Sequence, residues 1–380
     1  MVQVKEVTTK REQRAFLNFP LKLYEGNPYF VPPLYMDEKK IFRKDYVYYD
    51  QSEAVYYLAY REGKVVGRIS AILQRVSNEK WHQKRVRFTR FDCIDDQKVA
   101  SALFAAAENW AKERGMEEVV GPLGFSDLER EGLLIEGFDE LSTFEEQYNF
   151  PYYQKLIENC GYQKDVDWVE SQLRAPKEID PRYEKLSQFL LKKHGLRFSD
   201  AKNTREFIRR YADPLFDLLD LTYADIYGSV PMTSGMKKMM IDNFKLIVDI
   251  RYVTVILNEK DEVVCFGICF PSIAKALQKS KGHLTPAALV RVLRAIKHPK
   301  VLDLALIGVR PEYRMKGVST AILSGLMNYL RTDIEYAETN LNLEHNDAIR
   351  NQWKAFDARQ HKRRRCFVKR IAGETPGETN

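Results

Sequence analysis

The sequence lacks a long hydrophobic run. No stretch of its 380 residues approaches the roughly 18 to 20 consecutive apolar residues that a helix needs to cross a bilayer. Residues 1–5 also lack the basic segment followed by an apolar one that marks a secretory signal. We therefore expect no membrane span and a cytoplasmic protein.

Cysteine is scarce and scattered. The five cysteines are an odd number, and most lie in apolar runs, which is typical of buried thiols and not of a disulfide framework. Cys265 and Cys269 have no histidine nearby, so their spacing does not indicate a metal site. We predict no metal, and thiols in the protein core at Cys93, Cys160, Cys265, Cys269 and Cys366.

Acidic residues are absent from one stretch near the carboxyl terminus. The chain has 60 Lys and Arg against 53 Asp and Glu, a formal net charge of +7. Residues 359–370 contain seven of these bases and no acid, so the rest of the chain is balanced. A local basic segment does not favour a general nucleic-acid-binding surface, although RNA binding stays open.

One order of elements occurs twice along the chain. Each copy has a strand hairpin, an apolar strand, an amphipathic helix, another strand, and then a closing helix and strand. In the first copy these elements are predicted at residues 57–73, 86–94, 99–114, 117–121, 152–159 and 168–174. In the second copy they are predicted at residues 253–270, 301–309, 318–330, 336–340, 347–356 and 363–369. The pattern predicts an α/β protein of the α+β type with two tandem lobes.

The two copies set the predicted domain boundaries. The first lobe covers residues 1–175 and the second 196–372, joined by a linker at 176–195. The second lobe carries an insertion at 272–300, whose apolar spacing from Pro286 onward predicts a helix. Residues 373–380 are polar and rich in glycine, so we expect a disordered tail.

The second lobe has a glycine where a strand passes into a helix. The apolar strand at 302–309 leads to the turn 314–319, which contains Gly317. Backbone N–H groups converge at such a turn with the helix dipole behind them, so it can bind a pyrophosphate. Gly317 permits close approach of the phosphate, and Arg314 and Lys316 add charge. A plain helix start with solvated bases explains the same residues.

These residues resemble a known motif. The pattern Arg-x-x-Gly-x-Ser from Arg314 to Ser319, after an apolar strand and Val-Arg-Pro-Glu-Tyr at 309–313, resembles the acyl-coenzyme A (CoA) signature of GCN5-related N-acetyltransferases (GNATs). That signature commonly has Gly or Ala where Ser319 stands. The whole chain is similar to a group of two-lobed bacterial proteins of this kind. The resemblance implies two lobes with mixed, mostly antiparallel sheets flanked by helices, and acetyl-CoA or another acyl-CoA as co-substrate.

The resemblance also implies where CoA binds in the second lobe. Backbone groups at 307–309 would pair with the pantetheine arm, amides at 314–320 would hold the pyrophosphate, and Asn340 and Asn346 would flank the thioester. The cofactor-binding residues expected from it are Ile307, Gly308, Val309, Arg314, Met315, Lys316, Gly317, Val318, Ser319, Thr320 and Asn346.

No tyrosine lies on the last predicted helix, 347–356, where GNATs often place the general acid. Acyl transfer to an amine needs a base for the amine and a proton donor for the leaving thiolate. Glu338 and Glu344 are candidates for the base, and Asn340 is the third catalytic candidate. For both acids, a hydrogen-bonding role that holds the strands apart is the alternative.

The first lobe lacks a glycine at the equivalent turn. Asp95 and Asp96 stand there and would repel a phosphate, so we expect them to cap their own helix and the first lobe not to bind CoA. A long apolar segment with several glycines follows at 121–139. It either packs under the aromatic residues at 148–153 or lines an acceptor pocket.

The basic residues at 361–365 allow several interpretations. We take them as a solvated turn and strand edge, with the adenosine phosphate of CoA, an acidic substrate or RNA as alternatives. Three functions remain open. They are an N-acyltransferase that moves an acyl group, acetyl first, to an unidentified amine; an aminoacyl-tRNA-dependent transferase of the same layout; and an acyl-CoA-binding protein without activity. Each is compatible with a monomer or a homodimer.

Overall fold

The structure, a computed structural model, describes residues 1–178 and 182–371. The predicted tail at 373–380 and residues 179–181 of the predicted linker lie outside the described residues. Within those two ranges, no helix has the length and apolar character needed to cross a membrane.

The described residues form fourteen strands and twelve α-helices. The strands are β1 (Gln3–Glu6), β2 (Ser52–Arg61), β3 (Lys64–Gln74), β4 (Arg85–Cys93), β5 (Glu118–Gly121), β6 (Leu133–Glu136), β7 (Gln163–Arg174), β8 (Arg197–Phe198), β9 (Val253–Leu257), β10 (Val263–Pro271), β11 (Val301–Val309), β12 (Tyr336–Thr339), β13 (Asn342–Leu343) and β14 (Asp357–Arg370). The helices are α1 (Lys10–Leu23), α2 (Tyr35–Glu38), α3 (Arg75–Trp81), α4 (Gln97–Glu113), α5 (Tyr152–Glu158), α6 (Arg182–Lys193), α7 (Thr204–Tyr223), α8 (Ser234–Ile247), α9 (Ala274–Ser280), α10 (Pro286–Lys297), α11 (Ser319–Tyr329) and α12 (Asp347–Trp353).

The chain divides into two compact units. Of the described residues, unit 1 comprises 1–168, 281–283 and 362–371. Unit 2 comprises residues 169–280 and 284–361. These ranges differ from the predicted contiguous lobes, because β7 and β14 each contribute residues to both units.

Unit 1 is built on a sheet in the order β1-β2-β3-β4-β5, completed by the end of β14. Among the described pairings of this sheet, only that of β4 with β5 is parallel. The predicted hairpin is present: Arg61 faces Lys64 across Glu62 and Gly63, both with positive φ, as a two-residue hairpin turn requires. Helix α4 buries its apolar face on this sheet, with Leu103 and Phe104 in the core.

Unit 2 has the sheet order β7-β12-β11-β10-β9-β8, in which β11 and β12 pair in parallel. The second predicted hairpin, β9 with β10, is present. Leu302 and Ala337 pack with residues of α11 and α12 on one face of the sheet. On the other face, Phe270 contacts Phe244 of α8, which in turn contacts Phe216 of α7. This second face carries the candidate site.

The strands that close the units differ from the prediction. The sequence predicts that residues 168–174 close the first copy and 363–369 the second. In the structure, Phe367 to Arg370 of β14 pair with β5 in unit 1, and Gln172 and Leu173 of β7 pair with β12 in unit 2. That part of the prediction is wrong, because alternation along a strand does not identify the strand's partner.

Four of the five cysteines are confirmed as core thiols. None of the five forms a disulfide, Cys93, Cys265, Cys269 and Cys366 are buried, and Cys160 is half-buried. Burial raises the pKa of Cys269 to about 12, which makes this thiol a poor nucleophile at neutral pH.

Candidate functional site

Strands β11 and β12 separate part-way along β11. Their parallel register covers only residues 301–304 of β11, because β12 ends at Thr339. On the opposite side, the register between β11 and β10 slips at Ala305. A bulge of this kind bends a strand and increases its twist. Within the described part of the chain, the edge of β11 that faced β12 therefore has no strand neighbour at residues 305–309.

The open edge of β11 faces the end of α7. The amide nitrogen of Ile307 lies 3.5 Å from the hydroxyl of Tyr223, the last residue of α7. A Cβ on Gly308 would lie 2.5 Å from Cε1 of Phe266 and 3.0 Å from Oγ1 of Thr222, so glycine leaves room for both the Phe266 ring and the helix. The predicted pantetheine edge thus carries a tyrosine hydroxyl that no motif in the sequence indicates.

The predicted phosphate turn follows β11 and leads into α11. Met315 and Gly317 have φ angles of 62° and 71°, so the turn passes through the left-handed region where glycine is least strained. The amides of Gly317, Val318 and Ser319 donate no hydrogen bond to any described residue. An anion site at a helix start requires backbone amides that donate no hydrogen bond within the protein.

Three side chains lie beside this turn. A Cβ on Gly317 would lie 2.9 Å from Cδ1 of Leu190 in α6, so this leucine covers one side. Nε of Arg314 lies 3.4 Å from the carbonyl oxygen of Val309, and Nζ of Lys316 lies 4.8 Å from the centre of the Tyr313 ring. Arg314 and Lys316 are both exposed, so their charges lie beside the free amides without replacing them.

A row of buried polar side chains crosses unit 2 where β11 and β12 still pair. Asp303, Glu338 and Gln172 are register partners on β11, β12 and β7, so their side chains point to the same face of the sheet. Asp303 and Glu338 are only 2% and 4% exposed. Phe270 is the register partner of Asp303 on β10, so the row lies on the face covered by α7 and α8.

His361 extends this row from β14. Its Nε2 lies 2.5 Å from Oε1 of Glu338, and the two side chains are 1% and 4% exposed. A buried histidine and carboxylate in contact can bind and release a proton close to a reacting group. Of the two acids proposed from the sequence, Glu338 is the one that lies in this row. Asp303 and His361 were missed, although a lone carboxylate inside the apolar strand 301–309 is a usable signal.

The other predicted residues follow β12. Oδ1 of Asn340 accepts a hydrogen bond from the amide of Leu341 at 2.8 Å, and Asn346 caps α12. Glu344 lies 3.5 Å from the exposed His345. Asn346 therefore has a structural role as a helix cap, since its side chain satisfies a backbone N–H of the first turn.

The basic segment 361–365 is not a solvated edge, and that interpretation is wrong. Lys362 and Arg364 are 1% and 0% exposed, and residues 363–365 pair with β6. Arg363 and Arg365 contact Asp167 at 3.2 and 2.8 Å. Burial alone would raise the pKa of Asp167, but Arg365 lowers it. Arg363 and Arg365 therefore pair with an acid of the protein itself, because the segment is an internal strand of the sheet.

In unit 1 the equivalent turn has the predicted capping role. The carboxylate of Asp96 accepts hydrogen bonds from the amides of Lys98 and Val99 at 2.9 and 3.3 Å, which caps α4. A hydrogen bond from Arg61 is the largest of the effects that lower the pKa of Asp96. The amides that would meet a phosphate are thus already bound to a carboxylate.

The bulge of unit 1 holds a buried charge. The register between β3 and β4 slips at a stretch of β4 that includes Arg90, and Arg90 is paired with Glu38 of α2 at 3.0 Å. Ala305 stands at the corresponding bulge of unit 2. Unit 1 therefore keeps the strand geometry of unit 2, but with an ion pair beside its bulge.

The apolar segment at 121–139 packs under the aromatic residues, as one of the two alternatives predicts. Leu134 is buried against Tyr148 and Tyr24. Its amide and carbonyl both hydrogen-bond to the side chain of Asn149, at 2.7 and 2.9 Å. The segment is therefore part of the core of unit 1.

No protein-family model matches the chain. Its sequence is 28% identical over 382 residues to protein YghO of Escherichia coli, covering 97% of this chain and 95% of that one. It is 27% identical over 316 residues to a bacterial ceramide synthase of Caulobacter vibrioides, covering 81% of this chain and 80% of that one.

Two solved structures share the fold across the chain. A tandem GNAT protein from the clavulanic acid biosynthesis pathway matches 98% of this chain and 100% of its own length, with a TM-score of 0.56 and 12% identity. The chain has the tandem GNAT fold. The GCN5-related glucosamine N-acetyltransferase region of a fungal multi-domain β-N-acetylglucosaminidase matches 97% of this chain and 38% of that protein, with a TM-score of 0.55 and 12% identity. In this tandem GNAT fold, unit 2 is the unit whose strand-to-helix turn contains a glycine, Gly317.

Proposed function

We propose that the chain is an N-acyltransferase that moves an acyl group from acyl-CoA to an amine, with CoA bound by unit 2. One observation carries the proposal. Unit 2 combines an open strand edge at 305–309, free amides at Gly317 to Ser319, and the buried row that contains Glu338. Unit 1 has its turn amides bound to Asp96, which supports unit 2 as the CoA-binding unit.

Each part of this site has a role in the proposed reaction. The free amides hold the pyrophosphate, and the edge of β11 pairs with the pantetheine arm. CoA supplies the acyl group as an activated thioester. The amine nitrogen attacks the carbonyl carbon and the C–S bond breaks. Glu338, in contact with His361, takes the proton from the amine directly or through one water, and the hydroxyl of Tyr223 gives a proton to the thiolate.

The acceptor class that we propose to test first comes from a relative. A ceramide is the amide of a fatty acid with a long-chain amino alcohol, so the name of the Caulobacter relative describes N-acylation. We therefore propose palmitoyl-CoA beside acetyl-CoA as donor, and sphinganine beside short amines as acceptor.

Calorimetric titration with acetyl-CoA, palmitoyl-CoA and free CoA tests the binding step. We expect Gly317→Glu to weaken binding of all three by at least about tenfold, because a carboxylate then faces the phosphates. Gly115→Glu is the control for backbone strain, since both glycines have a φ of 71° and Gly115 lies beyond the end of α4, with no atom within 4 Å of a new Cβ. Equal losses in both variants, or no CoA binding by the wild-type chain, would refute the proposal. Binding of CoA with no turnover on any acceptor would favour an acyl-CoA-binding protein without activity. Binding of aminoacyl-tRNA but not of CoA would favour the tRNA-dependent transferase.

Tyr223→Phe tests the proton donor. We expect kcat to fall by roughly ten- to a hundredfold with little change in CoA affinity, because the thiolate must then leave without a nearby proton. Tyr329→Phe is the control, since its hydroxyl lies 3.4 Å from Thr254 and its ring packs with the α11 face of the sheet. An unchanged kcat in Tyr223→Phe would remove this residue from the mechanism.

A further inference from the structure

The insertion at 272–300 is a second strongly basic part of the chain. It contains seven Lys and Arg and no Asp or Glu. Acids elsewhere in the chain offset this positive charge, so the net charge of the chain does not reveal it. Lys281 pairs with Glu25. The other six bases form no salt bridge with any residue in the described ranges: Lys275, Lys279, Arg291, Arg294, Lys297 and Lys300. Lys300 also donates a hydrogen bond to the carbonyl oxygen of Asp333 at 3.5 Å. Six bases without an acidic partner in the described ranges favour a negatively charged surface outside the chain.

Helix α10, within this insertion, is apolar on its solvent side. Ala288 and Val292 are its buried residues, and they pack it against the rest of unit 2. On the opposite side, Leu289, Val290 and Leu293 are 47%, 66% and 54% exposed. At 3.6 residues per turn these three side chains lie within an arc of about 100°. Large apolar side chains grouped in this way mark an interaction surface rather than scattered surface residues.

Bases flank this apolar arc. By the same helical spacing, Lys297 lies within the arc, and Arg294 lies about 40° beyond Val290. Both are exposed. Long basic side chains can extend to phosphates while neighbouring leucines enter the acyl region, which is the arrangement of helices that lie in a bilayer surface.

We propose that α10 docks unit 2 on the surface of an anionic lipid bilayer, with Leu289, Val290 and Leu293 inserted and Arg294 and Lys297 at the headgroups. Anionic headgroups match a segment with seven bases and no acid. The proposal does not depend on the proposed acyl transfer, because it rests on exposure and charge alone.

Two other occupants fit the surface less well. A second copy of the chain would bring the same bases together across a symmetric interface, and three side chains cover far less than the roughly 800 Å² per partner of a stable dimer. RNA would match the charge but leave the leucines and valine without an apolar partner.

Vesicle flotation with the full chain tests the proposal. We expect binding to phosphatidylcholine vesicles that contain about a third phosphatidylglycerol, little binding to pure phosphatidylcholine, and weaker binding at high salt. The variant Leu289→Ser, Val290→Ser, Leu293→Ser should bind at least about tenfold more weakly. The double variant Arg294→Gln, Lys297→Gln should bind anionic vesicles several-fold more weakly, since each base near the membrane surface contributes to the attraction.

Matched controls remove the same chemistry elsewhere. Leu246→Ser on α8 removes a leucine that is 62% exposed, and Lys10→Gln with Arg14→Gln removes two exposed bases of α1. Both should bind vesicles as the wild-type chain does, and melting curves should show that all variants are folded. Wild-type protein that stays unbound on anionic vesicles would overturn the proposal. Controls that lose as much vesicle binding as the α10 variants would also overturn it. A third contrary result would be a wild-type dimer in sedimentation that dissociates in the triple serine variant, with no vesicle binding by either protein.

Discussion

Replacing Glu338 by glutamine is expected to lower acyl transfer by about 10²- to 10⁴-fold, the usual contribution of a positioned base. Glutamine has nearly the same shape and still hydrogen-bonds to His361, but it cannot take a proton from the amine. The measurement is the rate of free CoA thiol release, with the donor and acceptor pair that the wild-type chain turns over. CoA affinity should stay unchanged, because the turn at Gly317 is a separate part of the site.

Glu344→Gln is the discriminating control for this variant. Both acids were proposed from the sequence, but Glu338 lies in the buried row with Asp303 and His361, and Glu344 lies beside the exposed His345. We expect Glu344→Gln to keep the rate within about threefold of wild type, as for a residue outside proton transfer. A larger loss in Glu344→Gln than in Glu338→Gln would assign the base to the other acid. Loss of CoA binding or of the melting transition in Glu338→Gln would show a structural role instead.

His361 tests whether the histidine acts through Glu338. His361→Asn keeps a hydrogen-bonding side chain at the position but removes the ring that contacts the carboxylate. A positioning role predicts a smaller fall in kcat than in Glu338→Gln, an unchanged KM for acyl-CoA, and no further loss when both residues are replaced.

The repeated order of elements could be predicted from the sequence because it depends on local patterns. The hairpin around Gly63, the strand 301–309 and the helix after it each have a clear period and a clear turn, and each is present. The turn at Gly317 could be predicted for the same reason. Its residues are contiguous, so the spacing of one glycine and two bases is enough to predict a turn between the strand and the helix.

The buried row could not be predicted in full because its members come together only in the sheet. Asp303, Glu338 and Gln172 lie far apart in sequence and meet through two strand pairings, one of which involves the strand 168–174 that the repeat pattern assigns to the other copy. The sequence places His361 in a solvated edge because its neighbours are basic. The charge of a segment does not predict its exposure, because acids from distant parts of the sequence, such as Asp167, can pair with its bases in the folded protein.

The largest expected effect on stability concerns unit 1. Glu38 is 16% exposed and lies between Arg90, at 3.0 Å, and Arg130, at 3.9 Å. Replacing it by glutamine leaves Arg90 buried without its counter-charge, which typically costs about 3–5 kcal/mol. We expect the free energy of unfolding, measured by urea titration at pH 7, to fall by that amount. Glu53→Gln is the control, since Glu53 is 48% exposed and pairs with Arg75 at the surface, where a salt bridge contributes about 0–1 kcal/mol.

The same carboxylate makes this stability depend on pH. Burial by itself would raise the pKa of Glu38, but the attraction of Arg90 and then Arg130 lowers it from 4.5 to about 2. A carboxyl whose pKa is lowered by folding stabilises the fold above its unfolded pKa, and this stabilisation, about 3 kcal/mol, is lost as the pH falls from about 5 toward 2. The difference between wild type and Glu38→Gln should therefore shrink across that range. A difference that stays constant down to pH 2 would show that the loss in the variant comes from packing and not from the charge, because glutamine does not titrate.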